Sequence, residues 1–239
     1  VRLATAAALA WLVLENNVVS AQNFDAVMNL VLGHEGGFTN DRRDPGNWTG
    51  GIVGRGTLKG TKFGIAANTF PNEDIRNLTR DRAIALYKRH YWDAIRADEL
   101  PAGVDYCLYD FSINSGAARA VKHLQAAVGV LQDGKVGPVT LAAVAKADPA
   151  ELVRKVCASR LRFMRALPTW PTFKNGWYAR VTSVEKVGVA MASRGSSSAP
   201  KPAHKRTNPP PKPAAPRPAP QPAPAGFFAR LARWFGGRK

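Results

Sequence analysis

From Asn23 to Met191, apolar residues recur three and four positions apart in nearly every segment, and sustained period-two alternation is missing. A chain patterned this way buries its apolar surface along helix stripes, so the fold class is mainly α. Phe24, Val27, Met28, Val31 and Leu32 mark a first helix with Asn23 as its N-cap, ending at Gly36-Gly37, where a left-handed turn costs little. Helices resume after a Thr79 cap through Ala83, Ile84, Tyr87 and Tyr91, and again from Val104 to Phe111. "SGAARAVKHLQAAVGV" and "GPVTLAAVAKA" make two more, joined by an Asp133-Gly134 turn, with Pro138 in the first turn of the second. Asp148, Pro149 and Glu151 start a helix that runs to about Leu167. A last helix follows Asn175, with Trp177, Val181, Val184 and Met191 on one face.

Three stretches break the pattern. Phe38 to Phe63 is rich in Gly and turn formers and reads as an irregular or hairpin lobe, and loops of that length commonly carry function. Residues 200–224 hold 11 prolines and form an extended spacer, within a Pro/Ala/Lys-rich linker over 194–225 that is expected to be disordered. The tail at 226–239, "GFFARLARWFGGRK", places Phe227, Phe228, Leu231, Trp234 and Phe235 on one face of a short amphipathic helix, opposite Arg230 and Arg233.

Charge follows the same division. The chain is 239 residues long with a formal charge of +17, and Arg194 to Lys239 holds ten Lys/Arg and no Asp/Glu. The first 193 residues therefore carry 24 basic and 17 acidic groups, net +7. Such a chain expects an anionic partner, and the amphipathic tail suits an anionic membrane or envelope surface. No zinc-finger spacing, RNA-binding sheet signature or basic recognition helix is present, so a specific nucleic-acid partner is not expected. At the other end, Arg2 with "LATAAALAWLVL" and "VSA" reads either as an export signal or as an extra helix over 1–21; its apolar run is too short to span a bilayer.

The chemistry sits in "HEGGFTNDRRDPG" at 34–46. Cleavage of a glycosidic bond needs one carboxylic acid still protonated near neutral pH and often a second, ionised carboxylate. Glu35, at the negative end of a helix beside Phe38, has surroundings that favour the protonated acid. Asp44, nine residues on, is the natural second carboxylate, with Asp41 as its competitor. The histidines at 34, 90, 123 and 204 have no metal-site spacing, so neither metal nor organic cofactor is expected.

"HEGGFTNDRRDPG" followed by "TKFGIAANTF" resembles the signature of the glycoside hydrolase family 108 muramidases: an E-G-G-aromatic motif, a D-P-G turn and a T-x-x-G-I segment. "DYCLYDFSINSGAARAVKHLQAAVGVLQDGKVGPVTLAAV" resembles the peptidoglycan-binding segment that accompanies this catalytic region. The resemblance implies a lysozyme-like helical fold, with a catalytic region over 22–98 and a peptidoglycan-binding region over 99–193. The activity implied is muramidase cleavage of the β-1,4 bond between N-acetylmuramic acid and N-acetylglucosamine. Glu35 matches the family's catalytic glutamate. By similarity to phage lysozymes, Asp44 and Thr61 would hold the hydrolytic water. "NWTGGIVGRGTLKG" inserts residues before Thr61, which leaves Thr49 as a rival.

Other residues admit two readings. Asn114 either binds an acetamido group or ends a helix; Trp48, Tyr91, Trp92 and Trp177 either stack on sugar rings or pack the core. "DGKVGPVT" is a turn and helix start that also resembles a wall-binding repeat. Cys107 and Cys157 read as buried thiols, with a disulfide left open. The rival activities are a lytic transglycosylase, which needs no water-holding carboxylate, and a non-catalytic cationic wall-binding or membrane-active protein. A monomer in the bacterial envelope, periplasmic or secreted, is expected, or a cytoplasmic protein until release if phage-derived.

Overall fold

The computed structural model describes residues 24, 25, 27, 28 and 37–196, with side chains through Arg194. The expectations for 1–21, His34, Glu35, the linker beyond 196 and the tail at 226–239 lie outside the described residues. Among the described residues are six α-helices: α1 (Arg80–Tyr87), α2 (Val104–Ser115), α3 (Ala117–Val128), α4 (Pro138–Val144), α5 (Pro149–Arg165) and α6 (Trp170–Ser196). The mainly α reading holds, and the small lobe is a two-stranded antiparallel hairpin, β1 (Thr61–Lys62) and β2 (Ile65–Ala66), with Thr61 opposite Ala66.

The caps fall where the sequence puts them. Thr79 accepts from the Arg82 amide at 3.2 Å to start α1, and Asp148 accepts from the Glu151 amide at 2.7 Å to start α5. Pro138 and Pro149 occupy first-turn positions, where the missing N–H is not needed. After Tyr87 the chain widens into a π-turn over Lys88–Trp92, tightens to a 3-10 turn over Asp93–Ile95 and leaves through Arg96 in the left-handed region. Boundaries differ from expectation: the α-helix expected through Tyr91 ends at Tyr87. α2 continues past Phe111 to Ser115, and α6 starts at Trp170 rather than after Asn175, because Pro171 is tolerated in a helix's first turn.

α2 is the axis of the molecule, and all its residues except Ile113 are buried. It packs against α3, α5 and α6 on one side and the 3-10 and π turns on the other. One continuous apolar cluster runs from Phe24, Val27 and Met28 through Trp92 and Tyr109 to Val181 and Val184. Phe24 meets the edge of Trp92 at 5.2 Å between centroids, and the Tyr109 hydroxyl donates to Met28 Sδ at 2.8 Å. α2 and α6 cross at a pair of glycines: a Cβ on Gly103 would stand 2.1 Å from the Gly188 carbonyl oxygen. Cys107 and Cys157 are buried free thiols with sulfurs 3.4 Å apart.

Candidate active site

The D-P-G stretch folds as a tight turn. Asp44 caps the 3-10 turn Pro45–Asn47, its Oδ1 accepting from the Gly46 amide at 2.8 Å, and it is only 5% exposed. Asp41 differs: its carboxylate is 44% exposed and forms a bidentate pair with Arg43, at 3.0 Å to both Nε and Nη2. The two carboxylates weighed from the sequence thus sit in different surroundings, one enclosed and one neutralised at the surface.

Asn47, which the sequence reading passes over as a turn former, organises this corner. It is fully buried, its Oδ1 accepts from the Thr61 hydroxyl at 2.7 Å and its Nδ2 donates to the Asp41 carbonyl at 3.1 Å. Its carbonyl accepts from the Lys59 and Gly60 amides at 2.9 and 3.0 Å. The Asn47 amide in turn donates to the Asp44 carbonyl at 3.1 Å. Asp44 and Thr61, 17 positions apart, are therefore held on the two sides of one asparagine. The main chain of Thr61 also pairs with Thr39 in both directions, at 2.9 and 2.8 Å.

The inserted residues explain how that spacing survives. Trp48 bridges Leu58, Thr49 pairs with Thr57, and Gly50 donates to the Arg55 carbonyl, so the insertion is a hairpin that leaves Asn47 and returns to it at Lys59. Thr49 lies within that hairpin, its hydroxyl accepting from the Thr57 amide at 2.9 Å, whereas Thr61 lies at its base beside Asn47. With its proton given to Asn47, the Thr61 oxygen keeps its lone pairs to accept from a water.

The aromatic candidates divide. Trp92 and Trp177 are core residues, at 0% and 3% exposed, the first donating to Asp98 and the second stacked on Phe173. Trp48 and Tyr91 are half-buried. Trp48 Nε1 donates to the Arg42 carbonyl at 2.9 Å, fixing its indole against the Asp44 turn. Tyr91 leans on Tyr87, whose hydroxyl donates to the Phe63 carbonyl at the β1–β2 turn, and burial pushes the Tyr91 phenol up to about 12. Asn114 is 3% exposed; its Nδ2 bonds back to the Asp110 carbonyl at 2.8 Å, while its Oδ1 and the neighbouring Ser115 Oγ have no partner among the described residues. Two orphaned polar atoms at one helix end call for a hydrogen-bonding visitor or an ordered water.

A second feature escaped the sequence reading. Asp110, on the otherwise apolar α2, is bound by Arg160 of α5 at 2.9 Å and by both Nε and Nη2 of Arg180 on α6. Burial pushes the Asp110 carboxyl up, but the two guanidinium groups outweigh it and hold the group down at about 2. The signal was an aspartate surrounded by "YCLYDFS", where only an ion partner makes a buried charge tolerable. Among the described residues, no group of three His, Cys, Asp or Glu side chains stands together to hold a metal.

Comparison with known proteins meets this geometry. The family model described as glycosyl hydrolase 108 matches residues 28–116, and the model described as a predicted peptidoglycan domain matches 119–182. The chain is similar to the solved structure of Brucella abortus SagA, at 36% identity and a TM-score of 0.62, over 72% of this chain and 97% of that one. It belongs to the glycosyl hydrolase 108 family. No curated protein matches the chain. As a member of glycosyl hydrolase 108 with the accompanying peptidoglycan domain, it is a lysozyme-like peptidoglycan hydrolase, and peptidoglycan is its partner. The two matched segments share one interior: Asp110 and Cys107 lie in the glycosyl hydrolase 108 match, while Arg160, Arg180 and Cys157, which they touch, lie in the peptidoglycan match.

Proposed function

We propose that this hydrolase is an N-acetylmuramidase, cutting the β-1,4 bond between N-acetylmuramic acid and N-acetylglucosamine, with Glu35 as general acid and Asp44 and Thr61 holding the attacking water. The observation that carries the reading is the enclosed Asp44–Asn47–Thr61 corner, nine residues beyond Glu35 in a glycosyl hydrolase 108 chain. A buried carboxylate and a hydroxyl with spare lone pairs, tied to one asparagine, suit the binding and deprotonation of water, a role a transglycosylase does not need. Asn114 Oδ1 is proposed to accept from a sugar acetamide, and Trp48 and Tyr91 to line the glycan path.

The test is mass spectrometry of purified peptidoglycan digested by the native chain and by Glu35→Gln. Reducing N-acetylmuramic ends that vanish in the variant are expected. Ends in the 1,6-anhydro form would instead assign a transglycosylase, and no new ends would leave a wall-binding or membrane-active protein. The amphipathic residues 226–239 are proposed to concentrate a monomeric enzyme at an anionic envelope surface. Deleting 200–239 should leave hydrolysis of purified peptidoglycan nearly intact and weaken action on membrane-bearing cells; equal loss on both would contradict that division.

A further inference from the structure

Among the described residues, two that are not glycine have a positive φ: Phe63 at 49° and Arg96 at 50°. Arg96 closes a 3-10 turn, and its guanidinium pairs with Glu99 and donates to the Val136 carbonyl at 3.0 Å, so its bonds offset the strained backbone. The Phe63 side chain can form no such bond. Phe63 is the first of two residues that join β1 to β2, and Gly64 follows it at φ 73°. Two successive left-handed residues between paired strands are the pattern of a type I′ turn, whose first position suits Asn, Asp or Gly. A bulky side chain there crowds the following carbonyl and is a genuine outlier. The turn would close with any of the smaller residues, so closure does not require a phenylalanine. Nor does the interior enclose it: the ring packs against the apolar cluster yet stays partly exposed.

Backbone strain persists where the surroundings fix it, and it collects at ligand sites. The surroundings of Phe63 fix it on three sides. Its carbonyl accepts from the Tyr87 hydroxyl at 3.2 Å. The Lys62 ammonium stands 5.4 Å from the ring centroid and donates to the Arg76 carbonyl at 3.1 Å. Thr61, at the start of the same strand, is locked to Thr39 and Asn47. Phe63 therefore lies two residues beyond Thr61, about 7 Å along an extended strand, which is within the span of a disaccharide from a water on the Thr61 hydroxyl. Tyr91, already placed along the glycan path, leans on the same Tyr87 at 5.8 Å between centroids. Tyr87 thus ties two half-buried rings to the strand that carries Thr61. A flat ring held in place offers its apolar face to the C–H groups of a sugar, with little side-chain freedom left to lose on binding.

We propose that Phe63 is a sugar-binding residue of this hydrolase: its ring stacks on the pyranose next to the one attacked and sets the glycan strand over the Asp44–Asn47–Thr61 corner. The proposal rests on the reading of that corner as the place where water is held. It gives the left-handed phenylalanine a use that neither the turn nor the core supplies.

The experiment measures kcat and KM of the full chain on soluble peptidoglycan strands prepared by sonication, by release of reducing ends, for wild type, Phe63→Leu, Phe63→Asn and Phe63→Tyr, with urea unfolding of each. Phe63→Leu keeps an apolar side chain, and Phe63→Asn relieves the left-handed backbone. Both should raise KM by about fivefold, the effect of one lost aromatic contact, with kcat little changed. Phe63→Tyr keeps the ring and should stay near wild type. Wild-type KM in Phe63→Leu would overturn the proposal, as would a fall in kcat at unchanged KM. So would KM values that follow the urea midpoint from variant to variant, since the ring would then act through packing alone. If wild type cut neither strands nor sacculi, the peptidoglycan reading itself would fall; cleavage by wild type with unchanged KM in the variants would remove the Phe63 contact alone.

Discussion

Replacing Asp110 by Asn tests whether the buried ion cluster joins the two matched segments. The carboxylate is 4% exposed, Arg160 is 0% exposed and Arg180 15%, so solvent offers these guanidinium groups little compensation once the negative charge is gone. The fall of the Asp110 group from 3.8 to about 2 corresponds to about 2 kcal/mol of stability at neutral pH. Breaking a buried pair from one side costs about 3–5 kcal/mol in all, and Arg160, fully buried, would then face a neutral amide. A loss of about 3 kcal/mol is therefore expected at pH 7, or a fall in Tm of roughly 6–12 °C for a chain of this size.

The sign of the pH dependence is fixed by the direction of the shift. Because the folded carboxyl is held below its unfolded value, its contribution is complete above about pH 4 and is lost as pH falls through about 2. Urea unfolding of wild type and Asp110→Asn between pH 7 and pH 2 measures both effects. The variant should be less stable at pH 7, with the difference narrowing across the acid range. A loss below about 1 kcal/mol at pH 7, or a difference that does not narrow in acid, would refute the reasoning.

Three further outcomes follow from the same geometry. Gly103→Ala should cost about 2–4 kcal/mol, because a positive φ and a 2.1 Å approach to the Gly188 carbonyl act together, whereas Gly116→Ala, with equal φ but open space, should cost about 1 kcal/mol in urea unfolding. Asn47→Ala, which removes the acceptor of the Thr61 hydroxyl and the donor to Asp41, should lower peptidoglycan turnover by at least about tenfold at a temperature where it stays folded; Thr49→Ala should change it little, and the reverse order would assign the water-side role to Thr49. Hydrogen bonding to Cys157 and burial raise the Cys107 thiol well above its usual value and Cys157 is fully buried from reagents, so neither cysteine should react with a thiol reagent in the native protein and both should in denaturant. No thiol in denaturant would indicate a disulfide.

The sequence alone determined which segments are helical and the capped starts of α1 and α5, because helix formation and capping are local, but not where α2 ends or α6 begins. Thr79, Pro138, Asp148 and the Asp133-Gly134 turn act within a few residues of their positions, and a 3.6-residue stripe marks the buried face whatever it packs against. It also placed Asp44 and Thr61 among the candidates through motif order. What it could not give was the bonding between distant residues. Asn47 looks like a turn former until the hairpin returns Lys59–Thr61 to it, and Arg160 looks like one more surface cation on a basic helix until α5 turns it toward Asp110. The choice between Asp41 and Asp44 as the enclosed carboxylate depended on which side of a tight turn faces the interior, and that between Trp92 as a core residue and Tyr91 as a half-buried one on which face of a π-turn meets α2. Such decisions lie in tertiary structure, because burial and ion pairing depend on chain segments tens of residues away, whose approach no local propensity specifies.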